Sequence, residues 1–464
     1  MKTRLPQLAY LLCAVMTTLL FPVFARSQDA AKNIFTPTPV NTSYLSNLSG
    51  KFEKINNDVI KNLPKENKHA YKEVYAMRWA NIKSKFDDKE IFTSPVAQQY
   101  IDSMLTSIML NNPMLQARDI HCYFSRSSVP NASYIGQGII LFNMGLFRHM
   151  QTEGQMAFVL CHELAHYYLM HSENSIKKYV TDINSKNVQQ QLQEIKKEKY
   201  RKQEHLEALN TGLKFDSRRH SRDHESEADS LGLVFLHNTH FNTADALSAL
   251  ALLDTIDTDS LNIQACLEKM FQSAKYPFQS RWLAKSDHLL GGHAQFMHNG
   301  VMEDSLKTHP DCQLRIKVLA PAVANYTQET SDTRINPARF DALKKEASYE
   351  TIEFAWANNN YTGSLYETIS LLQQYPDDPY LISQTGKILN SCYSAEKQHH
   401  IGDKIDLPAP GNPNSYNLLA QFLRNLYLEE YALISNNYLQ QYAAKLNSYA
   451  PFQKELAKSV AIIQ

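Results

Sequence analysis

One predicted helix constrains the fold of this 464-residue chain more than any other feature. Thr152 and Gln155 have the spacing of a capping box, a reciprocal pair of hydrogen bonds that starts a helix. The apolar stretch Met156–Leu160 then leads directly into the pentapeptide His162–His166, which reads HELAH. Because residues four apart lie on one helix face, the two histidines can present imidazole nitrogens to the same ion.

Two histidines need a third protein ligand, since catalytic zinc sites usually have three and leave the fourth position to water. A second predicted helix, at about 219–237, supplies candidates in the sequence ESEAD. Glu225 can ligate the ion, and Asp229, one turn later, can accept the outer N–H of a ligating histidine. Glu227 is the alternative ligand, but it lies on a different face of the helix.

The remaining polar residues near these motifs have separate predicted roles. Glu163, beside His162, can reach a bound water and act as the catalytic acid and base. His171 is predicted to have rotated off the ligand face of the first helix, and His224 is predicted to lie at the surface. The two helices therefore predict one zinc ion per chain.

Several separated motifs together resemble the M48 metallopeptidase family over about residues 96–325. HELAH and ESEAD, the latter followed by Gly232, are similar to its two metal-binding helices. Asn131 and Gly138 lie in a stretch that looks like the family's strand before the zinc helix. Thr308-His309-Pro310 with Arg315 looks like its downstream His-Pro motif.

The resemblance implies a mostly helical α+β fold with a small sheet, a zincin of the gluzincin type. It implies His162, His166 and Glu225 as zinc ligands and Glu163 as the catalytic residue. It also makes His309 a candidate donor to the developing oxyanion, supported by Arg315. A histidine in that region could instead reach the zinc and block it in the resting enzyme.

Two strands are predicted before the zinc helix, at 120–125 and 135–142. A strand beside the zinc could bind an extended polypeptide by main-chain hydrogen bonds along its edge, with little sequence preference. Asn131 and Gly138 are the residues assigned to this substrate-binding strand. The alternative is that the strand lies inside the sheet.

The N-terminus predicts export. Two basic residues precede the apolar run Leu8–Phe21, and small residues allow cleavage after Ala25. The run is shorter than the roughly 20 residues that a membrane span needs. We therefore expect a signal peptide at 1–25, an uncleaved anchor being the alternative, and a periplasmic or secreted protein without an integral membrane span. A polar segment and helices follow at 26–90.

The charge balance excludes a nucleic-acid-binding protein, and the cysteine content excludes a disulfide-rich one. Lys and Arg together number 47, as do Asp and Glu, so no field of one sign attracts nucleic acid, and no nucleic-acid partner is expected. Beyond Cys13, five scattered cysteines allow at most one or two disulfides. Cys161 is expected to be a buried apolar residue.

The peptidase domain is assigned to 91–325 and a C-terminal helical domain to 335–464. Helices at 349–357 and 363–374 are predicted to form a hairpin, and Asp378-Pro379 to open another helix. Such units resemble tetratricopeptide repeats, although a plain helical bundle fits equally. The region is a candidate surface for a protein partner.

Together these features predict a zinc-dependent endopeptidase that cleaves unfolded or extended polypeptides in an extracytoplasmic compartment. By resemblance to periplasmic M48 members with repeats, its role would be protein quality control. The alternative is a chaperone or adaptor that binds clients through its C-terminal helices and has a regulatory zinc site. Hydrolysis of a non-peptide substrate at the same zinc is a third reading.

Overall fold

Helices make up most of the structure, a computed structural model. It describes residues 34–197, 222–256, 258–284, 311–326, 335–409 and 411–463. In chain order the first helices are α1 (Thr42–Lys61), α2 (Lys68–Asp87), α3 (Pro95–Leu110), α4 (Met144–Phe147), α5 (Glu153–Tyr168), α6 (His171–Ile183), α7 (Lys186–Lys197) and α8 (222–237). The later ones are α9 (Ala244–Thr255), α10 (Ile263–Phe271), α11 (Cys312–Asn325), α12 (Pro337–Ala357), α13 (Tyr361–Gln374), α14 (Pro379–Lys397), α15 (Asn414–Arg424), α16 (Leu428–Tyr442) and α17 (Ala450–Ile463). With one small sheet, this confirms the predicted α+β, mostly helical class.

The sheet has three strands in the order β1-β3-β2: β1 (His121–Ser125), β2 (Ala132–Gly136) and β3 (Ile139–Asn143). β3 pairs parallel with β1 and antiparallel with β2, so β2 is an edge strand.

The prediction of a single strand over 135–142 is wrong, because the chain reverses between β2 and β3. Gln137 and Gly138 both have positive φ, 49° and 75°. A Cβ on Gly138 would lie 2.2 Å from the backbone oxygen of Asp119, so only glycine fits there. Gly138 is therefore a turn residue rather than part of a strand.

Successive residues of a strand point to opposite faces, and both faces of this sheet are covered. Tyr123 and Leu141 pack with Phe52 of α1 and Phe86 of α2. Phe142, on the other face, belongs to a larger core that includes residues of α3 and α5. The N-terminal helices and the sheet thus share a core.

Helical periodicity predicts one apolar stripe on α3, formed by Val96, Tyr100, Ile101, Met104, Leu105 and Ile108, and the stripe is buried except at its first member. Tyr100 and Ile101 are buried, as are the later members of the stripe, whereas Val96 is 41% exposed and Ala97 is buried in its place. Pro95 occupies the first turn, and the side chain of Ser94 accepts a hydrogen bond from the Ala97 N–H. This cap sets where the helix begins, and hence which residue faces inward.

α5 passes through the centre of the larger core and is buried on nearly all sides from Glu153 to Ala165. The Thr152 hydroxyl accepts from the Gln155 N–H at 3.0 Å, as the capping box predicts. The reciprocal bond differs, since the side-chain amide oxygen Oε1 of Gln155 accepts from the N–H of Gln151 at 2.7 Å, one residue earlier than in the motif. The buried helix carries its two histidines in its C-terminal half.

A second core is formed by the C-terminal helices, and α12 contributes to both cores. Phe340 and Leu343 pack in the first core, whereas Tyr349 and Ile352 pack in the second. The helix begins at Pro337, twelve residues before the predicted start of the hairpin, because its first half is needed to join the two cores.

The segment between α9 and α11 also joins the second core. Trp282 and residues of α10 pack there, although α11 returns to the first core. The Glu430 carboxylate of α16 accepts from Trp282 Nε1 and Tyr276 Oη, each at 2.9 Å. A stretch in the middle of the predicted peptidase domain is therefore bound to the C-terminal helices.

Two ion pairs tie the sheet region to the C-terminal helices. Arg126 Nη2 lies 2.8 Å from Glu350 Oε2, and that glutamate is fully buried. The Arg148 guanidinium donates to both oxygens of Glu367, at 2.6 and 3.1 Å. Such buried pairs hold two regions in one orientation, because separating them would leave charges unpaired.

Other predicted details can be compared with the structure. Asp378 caps α14 by accepting from the N–H groups of Tyr380 and Leu381. The five cysteines beyond Cys13, Cys161 among them, are all buried, and within the described residues they form no disulfide. No helix within the described residues is both long and apolar enough to cross a membrane. The signal segment 1–25 lies outside the described residues, and the tetratricopeptide likeness stays a prediction.

Candidate metal centre

The centre forms where α8 crosses α5. A Cβ built on Gly232 of α8 would lie 3.1 Å from both the Cα and the N of His162. A glycine at this position lets the two helix backbones approach closely. The approach brings Glu225, two turns earlier on α8, over the histidines of α5.

Three side chains converge there. His162 Nε2 and His166 Nε2 lie 3.0 Å apart. The Glu225 carboxylate oxygens lie 3.4 Å from each of these nitrogens. One ligand atom from each residue falls within 4.8 Å of the others, a group that could hold a metal ion.

The donor set and its spacing fit zinc. Zinc–nitrogen bonds of about 2.0–2.1 Å in a tetrahedral site place neighbouring ligand atoms roughly 3.3 Å apart. The observed separations of 3.0 and 3.4 Å lie on either side of that value. Two imidazoles and one carboxylate leave one tetrahedral position for water.

Asp229 and Arg315 support the ligands from behind. Asp229 Oδ1 lies 3.0 Å from His162 Nδ1, the nitrogen that faces away from the other ligands. The Arg315 guanidinium donates to both Asp229 oxygens at 2.7 Å, and its Nη1 lies 3.2 Å from Glu225 Oε2. Arg315 is buried, so it holds two carboxylates in one geometry.

The charges of this cluster shift its pKa values strongly. Burial raises the pKa of Glu225, but hydrogen bonds from His162 and His166 and the charge of Arg315 outweigh burial and hold the pKa well below the usual value. Burial lowers the pKa of His162, but Asp229 and Glu225 outweigh it and raise the pKa to about 10. A cation entering the site therefore competes with a proton on His162, and binding releases that proton.

Glu163 has a different environment from the other carboxylates. Its side chain is buried beside the histidines, and its Oε2 accepts a hydrogen bond from the N–H of Tyr134 in β2 at 2.7 Å. Burial raises the pKa of Glu163, although both histidines act to lower it. A raised pKa suits a carboxylate that takes up and releases a proton near neutral pH.

The sequence model of the family described as peptidase family M48 matches residues 95–322. This range begins at α3 and contains both metal-binding helices and Arg315. The chain belongs to peptidase family M48. Among curated proteins none matches it. M48 peptidases are zinc metalloproteases, so the three converging side chains are the ligands expected to hold zinc.

A cavity of about 450 Å³ opens at the zinc site of this M48 peptidase. One wall consists of the predicted ligands and Glu163, and another is formed by β2 with Asn131 just before it. A third wall is apolar and contains Phe158, Val159 and Leu253. Gly138 is not among the lining residues, since it lies in the hairpin turn.

His171 and His224 lie closer to the centre than predicted. α5 ends at Tyr168, and Met170 takes a left-handed backbone conformation with φ of 53°. The turn breaks the continuous helix that the prediction assumed, and His171 starts α6 beside His166. His224 stacks on His171 with ring centroids 4.1 Å apart and is only half-exposed. Methionine is not a usual residue for such a turn, so no sequence signal indicates it.

Of the remaining predicted residues, Glu227 is turned away from the ligand group and toward His171. His309 and its neighbours Thr308 and Pro310 lie outside the described residues. Its assignment as an oxyanion donor, or as a group that blocks the zinc, stays a prediction.

Proposed function

We propose that this M48 peptidase is an endopeptidase that cleaves unfolded or extended polypeptides. The proposal rests on the position of the edge strand β2, which lies along the cavity beside the zinc ligands. An edge strand can bind an extended chain by main-chain hydrogen bonds, which requires no particular sequence and no chain terminus.

The side of β2 opposite its partner β3 faces the catalytic carboxylate. Asn143 N–H donates to the Asn131 carbonyl at 3.0 Å, so Asn131 directs its main-chain groups toward β3. Alternate residues of an antiparallel strand bond to the neighbouring strand, so Ala132 and Tyr134 direct their main-chain groups to the open side. The hydrogen bond from Tyr134 N–H to Glu163 runs in that direction. An extended substrate pairing with this edge would therefore pass over Glu163.

The chain's own residues supply proton transfer and positioning. Zinc, when bound, lowers the pKa of a coordinated water and polarises the scissile carbonyl. Glu163 is positioned by Tyr134 through Oε2, which leaves Oε1 to take the proton of the attacking water and pass it to the leaving amine. The apolar wall with Phe158 and Leu253 keeps water from one side of the cavity and can receive an apolar substrate side chain.

A matched pair of substrates tests this proposal. A compact disulfide-bonded protein should resist the enzyme, and the same protein should be cut at internal bonds after reduction and alkylation, because only an extended chain can align with β2. Mass spectrometry of the products identifies the bonds cut. A chelator should stop cleavage and added zinc should restore it. Equal cleavage of both forms, or release of terminal residues alone, would contradict the proposal.

The proposed location is the periplasm or the extracellular space, and the proposed role there is protein quality control. The basic residues and apolar run before Ala25 support export. Expression with the full N-terminus should yield a protein that begins at Arg26 in the extracytoplasmic fraction. Mass spectrometry of the intact chain measures this. A chain that retains residues 1–25 and stays in the cytosol would refute the location. Binding of a partner by the C-terminal helices also stays a prediction.

A further inference from the structure

The outer nitrogens of the two ligating histidines have unlike partners. His162 Nδ1 faces the Asp229 carboxylate at 3.0 Å. His166 Nδ1 instead faces the ring of a third histidine, with His171 Nδ1 at 2.9 Å. Ligating histidines commonly donate their outer N–H to a carboxylate or a carbonyl. Because His166 faces another histidine instead, either of the two rings could be the donor in this contact.

Glu227 settles the proton on His171. His171 Nε2 lies 3.1 Å from Glu227 Oε2. An ionised carboxylate can only accept a hydrogen bond, so Nε2 of His171 must carry the hydrogen. A neutral imidazole has one N–H, which leaves Nδ1 of His171 with a lone pair.

The proton on His166 follows from this. With a lone pair on His171 Nδ1, the donor in the 2.9 Å contact must be His166 Nδ1–H. The lone pair of His166 then lies on Nε2, the atom that points at His162 Nε2 and Glu225. Were His171 the donor, His166 would carry its hydrogen on Nε2 and could not bind a cation there.

We propose that His171, oriented by Glu227, is a positioning residue that holds His166 in its metal-binding tautomer. His171 is buried, and the stacked ring of His224 at 4.1 Å limits its rotation. Its position depends on the left-handed turn at Met170, which returns the chain from α5 to the outer side of His166. The inference rests on the metal site of the proposed function and not on peptide hydrolysis.

Glu227 therefore has a role other than that of a third ligand. Its side chain is 62% exposed, whereas that of Glu225 is 29% exposed. Two residues apart on α8, the carboxylates point in different directions. Glu225 contacts both ligand nitrogens, whereas Glu227 contacts the outer histidine. Helix α8 thus supplies both a metal ligand, Glu225, and the residue that orients His171, Glu227.

Two substitutions at His171 test the proposal. His171→Leu removes the acceptor at similar volume, and we expect zinc affinity to fall about 10–100-fold, the usual effect of losing such a partner. His171→Asn places Oδ1 where Nδ1 was and can accept from His166, so most of the affinity should return. Titration of the full chain with zinc against a competing chelator measures both, with no substrate needed.

A second pair tests the role of Glu227. Glu227→Gln keeps an oxygen that accepts from His171 Nε2–H, so affinity should be nearly unchanged. Glu227→Leu lets His171 adopt the other tautomer, and affinity should fall. The absorption spectrum of the cobalt-substituted protein should change in His171→Leu and Glu227→Leu and be wild-type-like in the other two. Because the Glu227 side chain is exposed, its variants should fold, and the test remains possible even if His171→Leu does not fold.

Thermal unfolding of the metal-free variants separates positioning from stability. If His171→Leu binds zinc as tightly as wild type, the proposal is wrong. The proposal is equally wrong if His171→Asn and His171→Leu lose zinc affinity to the same extent while their metal-free forms are equally stable. Because the readouts are zinc affinity and a cobalt spectrum, they are independent of whether the protein cleaves unfolded polypeptides.

Discussion

Glu163→Gln is expected to abolish peptide hydrolysis while one zinc stays bound per chain. The amide has the shape of the carboxylate, and its oxygen can still accept from the Tyr134 N–H as Glu163 Oε2 does. It cannot take a proton from water or return one to the leaving amine. General acid–base transfer contributes roughly 10²–10⁴-fold to such reactions, so the rate should fall by at least that order.

The measurement is cleavage of a reduced and alkylated protein by Glu163→Gln and wild type, with zinc content determined on the same samples. Glu268→Gln is the matched control, because it makes the same change at an exposed position on α10. It should cleave like wild type. Full activity in Glu163→Gln would exclude hydrolysis at this centre. Client protection that persists without cleavage would favour the chaperone or adaptor instead.

Glu225→Ala is expected to reduce bound zinc from one per chain to nearly none. Its carboxylate lies 3.4 Å from both histidine nitrogens and provides the only negative charge among the three ligands. Its removal leaves two imidazoles, and it also leaves Arg315 Nη1 facing the site without the carboxylate that it contacts at 3.2 Å. A positive charge beside a two-ligand site opposes cation binding.

Elemental analysis after dialysis against zinc-free buffer measures the stoichiometry. Asp223→Ala is the matched control, because it removes an exposed carboxylate from the same helix, and it should retain one ion per chain. Zinc retained in both variants would show that the metal binds elsewhere.

Short-range features of this chain were predictable from its residues. HELAH on a helix that begins at Thr152 follows from the capping residues and the apolar stretch, because both act within a few turns. ESEAD on a second helix, with Glu225 and Asp229 one turn apart, follows from the same periodicity. These patterns were sufficient to name His162, His166 and Glu225, which the fold brings together.

Errors arose where one residue's backbone angle redirects the chain. Residues 135–142 have the composition of a strand, yet Gln137 and Gly138 have positive φ and the chain reverses there. His171 is five residues past His166 and would lie off the ligand face of a continuous helix. The left-handed turn at Met170 instead places it against His166. Neither event is visible in the spacing of side chains.

Periodicity within a helix is a local property, and from it come the ligand types and the face that each helix presents. Which helices meet, and at what distance, depends on packing between segments remote in the chain. Gly232 against His162 sets the distance between α5 and α8, and Arg315, from α11, holds Glu225 and Asp229 of α8 in place. Glu430 likewise binds the Trp282 segment into the second core, whereas α9 before it and α11 after it pack in the first core. Contacts of this kind depend on the shape and charge of the whole molecule. A residue can be buried or paired in them only when its partner from a distant part of the sequence is also in place.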